Sequence, residues 1–292
     1  MSGWLWRALC LAVPAVGAVG LTAWAGYRWA RRMTALQARL EAGRLDGKPC
    51  VRSVPTRYDA RELDGLPAPV QRFFRTVLKD GQPFVTAVTI DVAGTIDMSP
   101  AGGQWKPFTS RQRVVTRRPG FVWDARIAML PGMNVRVVDS YIGGKGLLRA
   151  AMQGLFTVAD IQGEGEIARG EFMRWFAEAA WYPTALLPSQ GVHWEAVDDR
   201  SANATFSDGP LRETLLFRFD EAGRIGSFRA DARGARVGDK WVMAPWEGVW
   251  SDYQVRDGMQ VPSTGEVAWM RPEGRKPYFI GTVTALAFEF TP

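Results

Sequence analysis

The chain has 292 residues, 47% of them hydrophobic, with 36 basic and 30 acidic side chains, two cysteines and one histidine. That hydrophobic share supports a sizeable core and excludes a disordered chain. The formal charge of +6 is concentrated: residues 1–57 carry nine Arg or Lys against Glu41 and Asp46, leaving 27 basic and 28 acidic side chains for the remainder, so a phosphate-tracking domain is excluded and no nucleic-acid partner is expected.

The first element is the uncharged run Ala8 to Tyr27, which reaches the roughly 20 residues that a helix needs to cross a bilayer. Trp4, Trp6, Trp24, Tyr27 and Trp29 stand near its ends, where amphipathic rings favour the membrane interface, and Arg28, Arg31 and Arg32 come directly after it. The expectation is a single-pass anchor in the cell membrane over residues 1–32. A cleaved signal peptide ending near Ala23-Trp24-Ala25 is the alternative. The three arginines place the following domain in the cytoplasm, whereas cleavage would place it outside. Cys10 and Cys50 imply no disulfide framework.

Residues 33–63 are polar, basic and interrupted by Pro49 and Pro55, which predicts a short helical extension and then a juxtamembrane linker. Residues 64–292 are read as one domain. In "LPAPVQRFFRTVLKDG", Val70, Phe73, Phe74, Val77 and Leu78 recur at helical spacing, with Pro69 in the first turn and Gly81 past the end. From Phe84 the period changes to two. Hairpins are predicted at Pro119-Gly120, across Gly143 to Gly146, at Glu221 to Gly223 and at Asp257-Gly258. The closing stretch "PYFIGTVTALAFEF" is apolar on both sides, which predicts a strand covered on both faces.

One helix interrupts the strands, from Gly165 to Trp181. Phe172, Trp175, Phe176 and Ala179 form its apolar stripe, Glu171, Arg174 and Glu178 share another face, and Tyr182-Pro183 ends it.

Most catalytic constellations fail on inventory. One histidine, His193, and no cysteine within the domain exclude a Cys-His dyad or a His/Cys metal cluster. No Gly-x-Ser-x-Gly elbow is present, and "GGKG" lacks the Walker spacing. No catalytic residue, metal ligand or cofactor is therefore assigned. The carboxylates Asp139, Glu164, Glu166, Glu171 and Glu178 leave an acid–base route open, against the plainer reading of a solvated face and an Arg174–Glu178 ion pair. Thirteen tryptophans either fill the core or line an apolar hollow. The alternation Ser227, Arg229, Asp231, Arg233 gives one strand a polar face that holds an acidic headgroup if it turns inward and is merely solvated if it turns outward.

The run "RWFAEAAWYPTALLP", with "LPAPVQRFFR" before it and "FRFDEAGRIGSFRADAR" and "APWEGVWSDYQVRDGMQVPSTGEVAW" after it, resembles a family of bacterial proteins of unknown function, often membrane-anchored. The positions that match its signature are Arg174, Glu178, Trp181, Pro183, Leu186, Leu187, Pro188, Trp194, Arg233, Pro245, Trp246, Tyr253, Pro262 and Trp269. The plan of sheet and helices is also similar to the open-barrel carriers of lipoproteins and lipids.

The expected architecture is α+β: a curved, barrel-like antiparallel sheet of about ten strands with two packed helices, behind one transmembrane helix. The expected function is a membrane-tethered, non-catalytic binding domain for an apolar or amphipathic, lipid-like ligand, with Arg174, Glu178, Trp181, Arg233 and Trp246 as ligand-binding candidates. A carboxylate/arginine hydrolase or isomerase, and a structural envelope protein acting through protein contacts, are the alternatives.

Overall fold

The computed structural model describes residues 3–45, 56–99 and 102–291, with side chains from Gly20 onward. Most side chains of the expected span Ala8–Tyr27 thus lie outside the described residues, and among those described no helix is long and apolar enough to cross a membrane.

Alternating side chains build thirteen strands rather than ten. The first group is β1 (Val85–Asp97), β2 (Trp105–Val115), β3 (Gly120–Leu130), β4 (Met133–Ile142), β5 (Lys145–Met152) and β6 (Phe156–Gly163). The second is β7 (His193–Asp198), β8 (Ser201–Asp208), β9 (Leu211–Phe219), β10 (Ile225–Val237), β11 (Lys240–Arg256), β12 (Met259–Arg271) and β13 (Gly274–Phe290). The excess over ten comes from short strands that carry little periodic signal, such as β7 with six residues.

All thirteen form one antiparallel sheet in the order β6-β5-β4-β3-β2-β1-β13-β12-β11-β10-β9-β8-β7. The first and last strands meet at its centre, with Val85 opposite Phe290 and Ile96 opposite Phe279. At this seam Gly94 is obligatory, because a Cβ there would stand 2.0 Å from the Ile280 carbonyl oxygen. Since each hairpin reverses direction, the β1–β2, β3–β4, β5–β6, β10–β11 and β12–β13 turns gather at one end of the sheet. The β2–β3, β4–β5, β9–β10 and β11–β12 turns gather at the other.

Three α-helices accompany the sheet where two were expected on it. α2 (Ala68–Val77) buries Val70, Phe73, Phe74 and Val77 and closes the second end, where Gln260 donates to the Thr76 carbonyl and Arg72 to that of Asp199. α3 (Glu166–Ala177) joins the two edge strands. It lies against β5, where a Cβ on Gly146 would meet the Ile167 carbonyl at 2.6 Å, and against β9, where Arg169 pairs with Glu213 at 2.7 Å. Its apolar stripe packs Phe172 and Phe176 on Phe206, with Trp175 stacked beside them. The expected stop at Tyr182-Pro183 is preceded by a tighter 3-10 turn, Glu178–Trp181, which the Tyr182 hydroxyl secures by donating to the Trp175 carbonyl.

α1 (Gly3–Leu45) extends through the first part of the expected linker and packs on the outer side of the sheet. Trp29, Met33, Leu36 and Leu40, spaced by four, three and four residues, bury against Val115, Val122 and Val138. The Trp29 indole donates to Asp124 Oδ1 at 2.9 Å, and Glu41 pairs with Arg113.

The last strand is covered on one face, not two. A bulge at Thr284 lets Val283 and Leu286 both turn inward, while Ala285 and Ala287 are exposed.

Candidate functional site

Inside the curved sheet lies a cavity of about 570 Å³, within the roughly 300–1,000 Å³ range of small-molecule sites. Its walls include Ile127, Val137, Trp250 and Phe228, and it contains all five ligand-binding candidates, Arg174, Glu178, Trp181, Arg233 and Trp246. Its most exposed lining residues are Gly102 in the β1–β2 turn, Arg236 near the end of β10 and Lys276 near the start of β13, so the mouth opens at that end of the sheet.

The floor is polar and sits on α3. Arg174 donates from Nε to Glu178 Oε1 at 2.8 Å, from Nη1 to Asp139 Oδ2 at 2.9 Å and from Nη2 to Gln112 Oε1 at 3.2 Å. Gln112 in turn donates to Glu178 Oε2 at 2.6 Å. The guanidinium lies 4.8 Å from the Trp123 ring centre and 5.0 Å from that of Phe121. Burial opposes its charge, but Glu178, Asp139 and Glu171 together raise the Arg174 pKa above its usual value. Arg174 and Glu178 are thus locked to each other and to the sheet, not displayed to solvent as a simple helical pair.

Glu171 corrects the expectation of a solvated acidic face. It is buried, and its Oε2, like Asp139 Oδ1, has no hydrogen-bond partner in the protein. Burial, reinforced by the neighbouring Asp139, pushes the Glu171 carboxyl up to about 8; burial also raises Asp139. Glu171 therefore holds a proton at neutral pH.

Arg233 reaches the cavity through a backbone irregularity. The β10–β11 ladder pairs Ala230 with Trp246 and then Arg233 with Ala244, so a bulge intervenes. It moves Arg233 to the side of Phe228, Ala230 and Trp246, whereas the Asp231 side chain stays solvated at 96% exposure. The guanidinium stands 4.3 Å from the Trp246 ring centre and 5.6 Å from that of Trp269, and Nε donates to the Gly170 carbonyl at 3.2 Å. Gly170 makes room on α3, since a Cβ there would come within 3.4 Å of Nε. Trp246 is fixed by donating to the Tyr278 hydroxyl at 3.0 Å, and Trp181 by donating to the Pro262 carbonyl at 3.0 Å, 4.8 Å from the Trp250 ring.

The charges of the lining are unequally satisfied. Asp139 and Glu178 pair with Arg174, Glu166 with Arg169, and Asp97 accepts from the backbone of Ser99, Gly103 and Gln104. Arg233, Arg271 and Lys276 have no carboxylate within ion-pair distance among the described residues. These three cations therefore lack the counter-charges that hold Arg174 and Arg169. His193, by contrast, is exposed beside Glu195, and Gly143-Gly144 is a hairpin turn with both φ values positive.

Residues 64–288 match one family across most of the chain. The chain belongs to DUF6920, a family of unknown function. No protein of curated function matches its sequence. Among solved structures, this DUF6920 chain is similar to a LolA superfamily protein from Nitrosomonas europaea, at 11% identity and a TM-score of 0.39, over 70% of this chain and 87% of that one. The cavity brings the candidates Arg174, Glu178, Trp181, Arg233 and Trp246 together with the carboxylates Asp139 and Glu171, also named from sequence, and Gln112, which the sequence did not single out, bonds Glu178 beneath them.

Proposed function

We propose that this chain is a membrane-tethered binding domain for an amphipathic, lipid-like ligand, whose apolar part occupies the tryptophan-lined cavity and whose anionic group meets Arg233. The observation that carries the reading is Arg233, a cation without a carboxylate in ion-pair distance among the described residues, standing over Trp246 in a cavity whose walls are largely apolar. A guanidinium stacked on Trp246 and held at Nε keeps its two Nη groups for a carboxylate or phosphate oxygen pair. The tether is α1, whose apolar N-terminal half supports membrane attachment.

The test is binding by the delipidated full chain of a long-chain fatty acid and of the uncharged alcohol of equal length. A lost charge-assisted hydrogen bond is worth about 1.5–3 kcal/mol, so Arg233→Gln is expected to weaken fatty-acid binding about 10- to 100-fold and to leave the alcohol unchanged. Failure of the unaltered chain to bind either probe, together with no lipid in native mass spectra, sinks the reading.

One observation favours a second reading, acid–base catalysis: Glu171 is a buried carboxyl that holds its proton near neutral pH on the floor of the cavity. That reading requires hydrolysis of a long-chain p-nitrophenyl ester by the full chain and its loss in Glu171→Gln. An unaltered chain that releases no nitrophenolate removes it.

A further inference from the structure

The cavity mouth and the N-terminal half of α1 lie at the same end of the sheet. Gly154, in the β5–β6 turn, is so close to the helix that a Cβ there would stand 3.8 Å from the Ala25 carbonyl oxygen. At the other end, a Cβ on Gly120, at the start of β3, would meet Leu40 at 2.7 Å, and Arg44 pairs with Glu289. α1 therefore runs along the sheet with its apolar N-terminal side toward the mouth and its charged C-terminal side toward the closed end.

Exposed apolar side chains concentrate at that same mouth end. Leu130 is 63% exposed, Phe156 68% and Val237 52%, and Met133 and Met243 join them on the turns or strand ends there. The closed end displays Val197 and Val255 as its exposed large apolar residues among the described ones. On α1, Leu21, Trp24 and Tyr27 are exposed. Arg28 folds over the Trp24 ring at 4.6 Å and Arg31 over Tyr27 at 5.8 Å, and neither has a carboxylate within ion-pair distance among the described residues. Apolar tips ringed by unpaired arginines and interfacial aromatics fit the headgroup boundary of a bilayer carrying anionic lipid.

We infer that the β3–β4 and β5–β6 turns and the Trp24–Tyr27 face of α1 dock on an anionic bilayer surface, which sets the cavity mouth against the membrane. A lipid-like ligand then passes between bilayer and cavity without crossing water; this last step rests on the function proposed above, while the docking does not.

The test uses the full chain with Cys10→Ser and Cys50→Ser, labelled with an environment-sensitive fluorophore at Phe156→Cys or, as the control from the closed end, at Val255→Cys. The chains are reconstituted into phosphatidylcholine vesicles with and without phosphatidylglycerol, containing nitroxide-bearing lipid. The expected result is severalfold quenching and a blue shift at position 156, stronger with phosphatidylglycerol, and neither at position 255. Equal quenching at both positions, or none at 156, overturns the inference. Leu130→Glu combined with Phe156→Glu, which alters only exposed side chains, is expected to abolish the severalfold difference in quenching between a label at Met133→Cys and one at Val255→Cys; persistence of the difference also overturns it. A chain that binds no amphiphile yet keeps the quenching pattern loses the proposed function and retains the docking.

Discussion

Asp139 Oδ1 and Glu171 Oε2 are buried without a protein donor, and burial together with the neighbouring Asp139 raises the cost of ionising Glu171. Glu171 binds its proton more tightly in the folded chain, at about 8, than at its ordinary 4.5, so protonation favours folding. That contribution is complete below about pH 4.5 and is lost as pH rises through about 8. Glu171→Gln, which keeps the shape without the titration, is therefore expected to show a smaller loss of urea stability than the unaltered chain between about pH 5 and about pH 9. Identical slopes for the two chains contradict a proton held at Glu171. Pairing and burial at the scale of single residues were only partly legible in the sequence. Arg174 and Glu178 are four apart on a helix, so their ion pair was within reach. Glu171 shares their face, but it is buried and stands near Asp139 of β4, a proximity that no local spacing announces. Arg233 was legible as a candidate, yet period two groups it with Arg229 and the solvated Asp231 of its strand, and only the bulge turns it inward.

At the scale of elements, α1 carries the sharpest difference between expectation and structure. A reading led by its uncharged N-terminal run treats residues 33–63 as extension and linker. The spacing of Trp29, Met33, Leu36 and Leu40 was nevertheless present in the sequence, and it is the signal of a helix with a partner surface. Trp29 is 2% exposed and its indole nitrogen is bonded to Asp124, whose carboxyl is raised by burial. Truncating a buried tryptophan costs about 3–5 kcal/mol. Because that loss falls on the contact between α1 and the sheet, Trp29→Ala is expected to speed amide exchange from Met33 to Leu40 while leaving β8 and β9 protected. Unchanged exchange in that part of α1 would show that other contacts hold the helix. The hairpins were legible for a different reason: their turn residues and alternating flanks are local. Bulges are not, which is why the outer face of β13 was expected to be covered and is not.

At the scale of the molecule, the order of strands was the part least accessible to sequence. Hairpins fix neighbours, but the β1–β13 seam joins Val85 to Phe290, and nothing in either strand names the other. The seam makes one sheet of two groups of strands, and α3 ties their outer edges across the interior. The first and last strands thus meet in the middle of the sheet, and the sheet's edge strands are neighbours along the chain, joined through α3. This has a kinetic consequence. Non-local pairings slow folding because their loop-closure entropy is lost before the contacts form. A circular permutant that joins the present termini through a flexible linker and opens the chain between Gly163 and Gly165 would run from α3 through β7 to β13, then through α1 and α2 to β1 and on to β6, so that the seam strands are separated by the linker, α1 and α2 instead of by eleven strands and α3. Such a permutant is expected to refold faster than the natural order in stopped-flow experiments, and equal rates would mean that the seam does not limit folding.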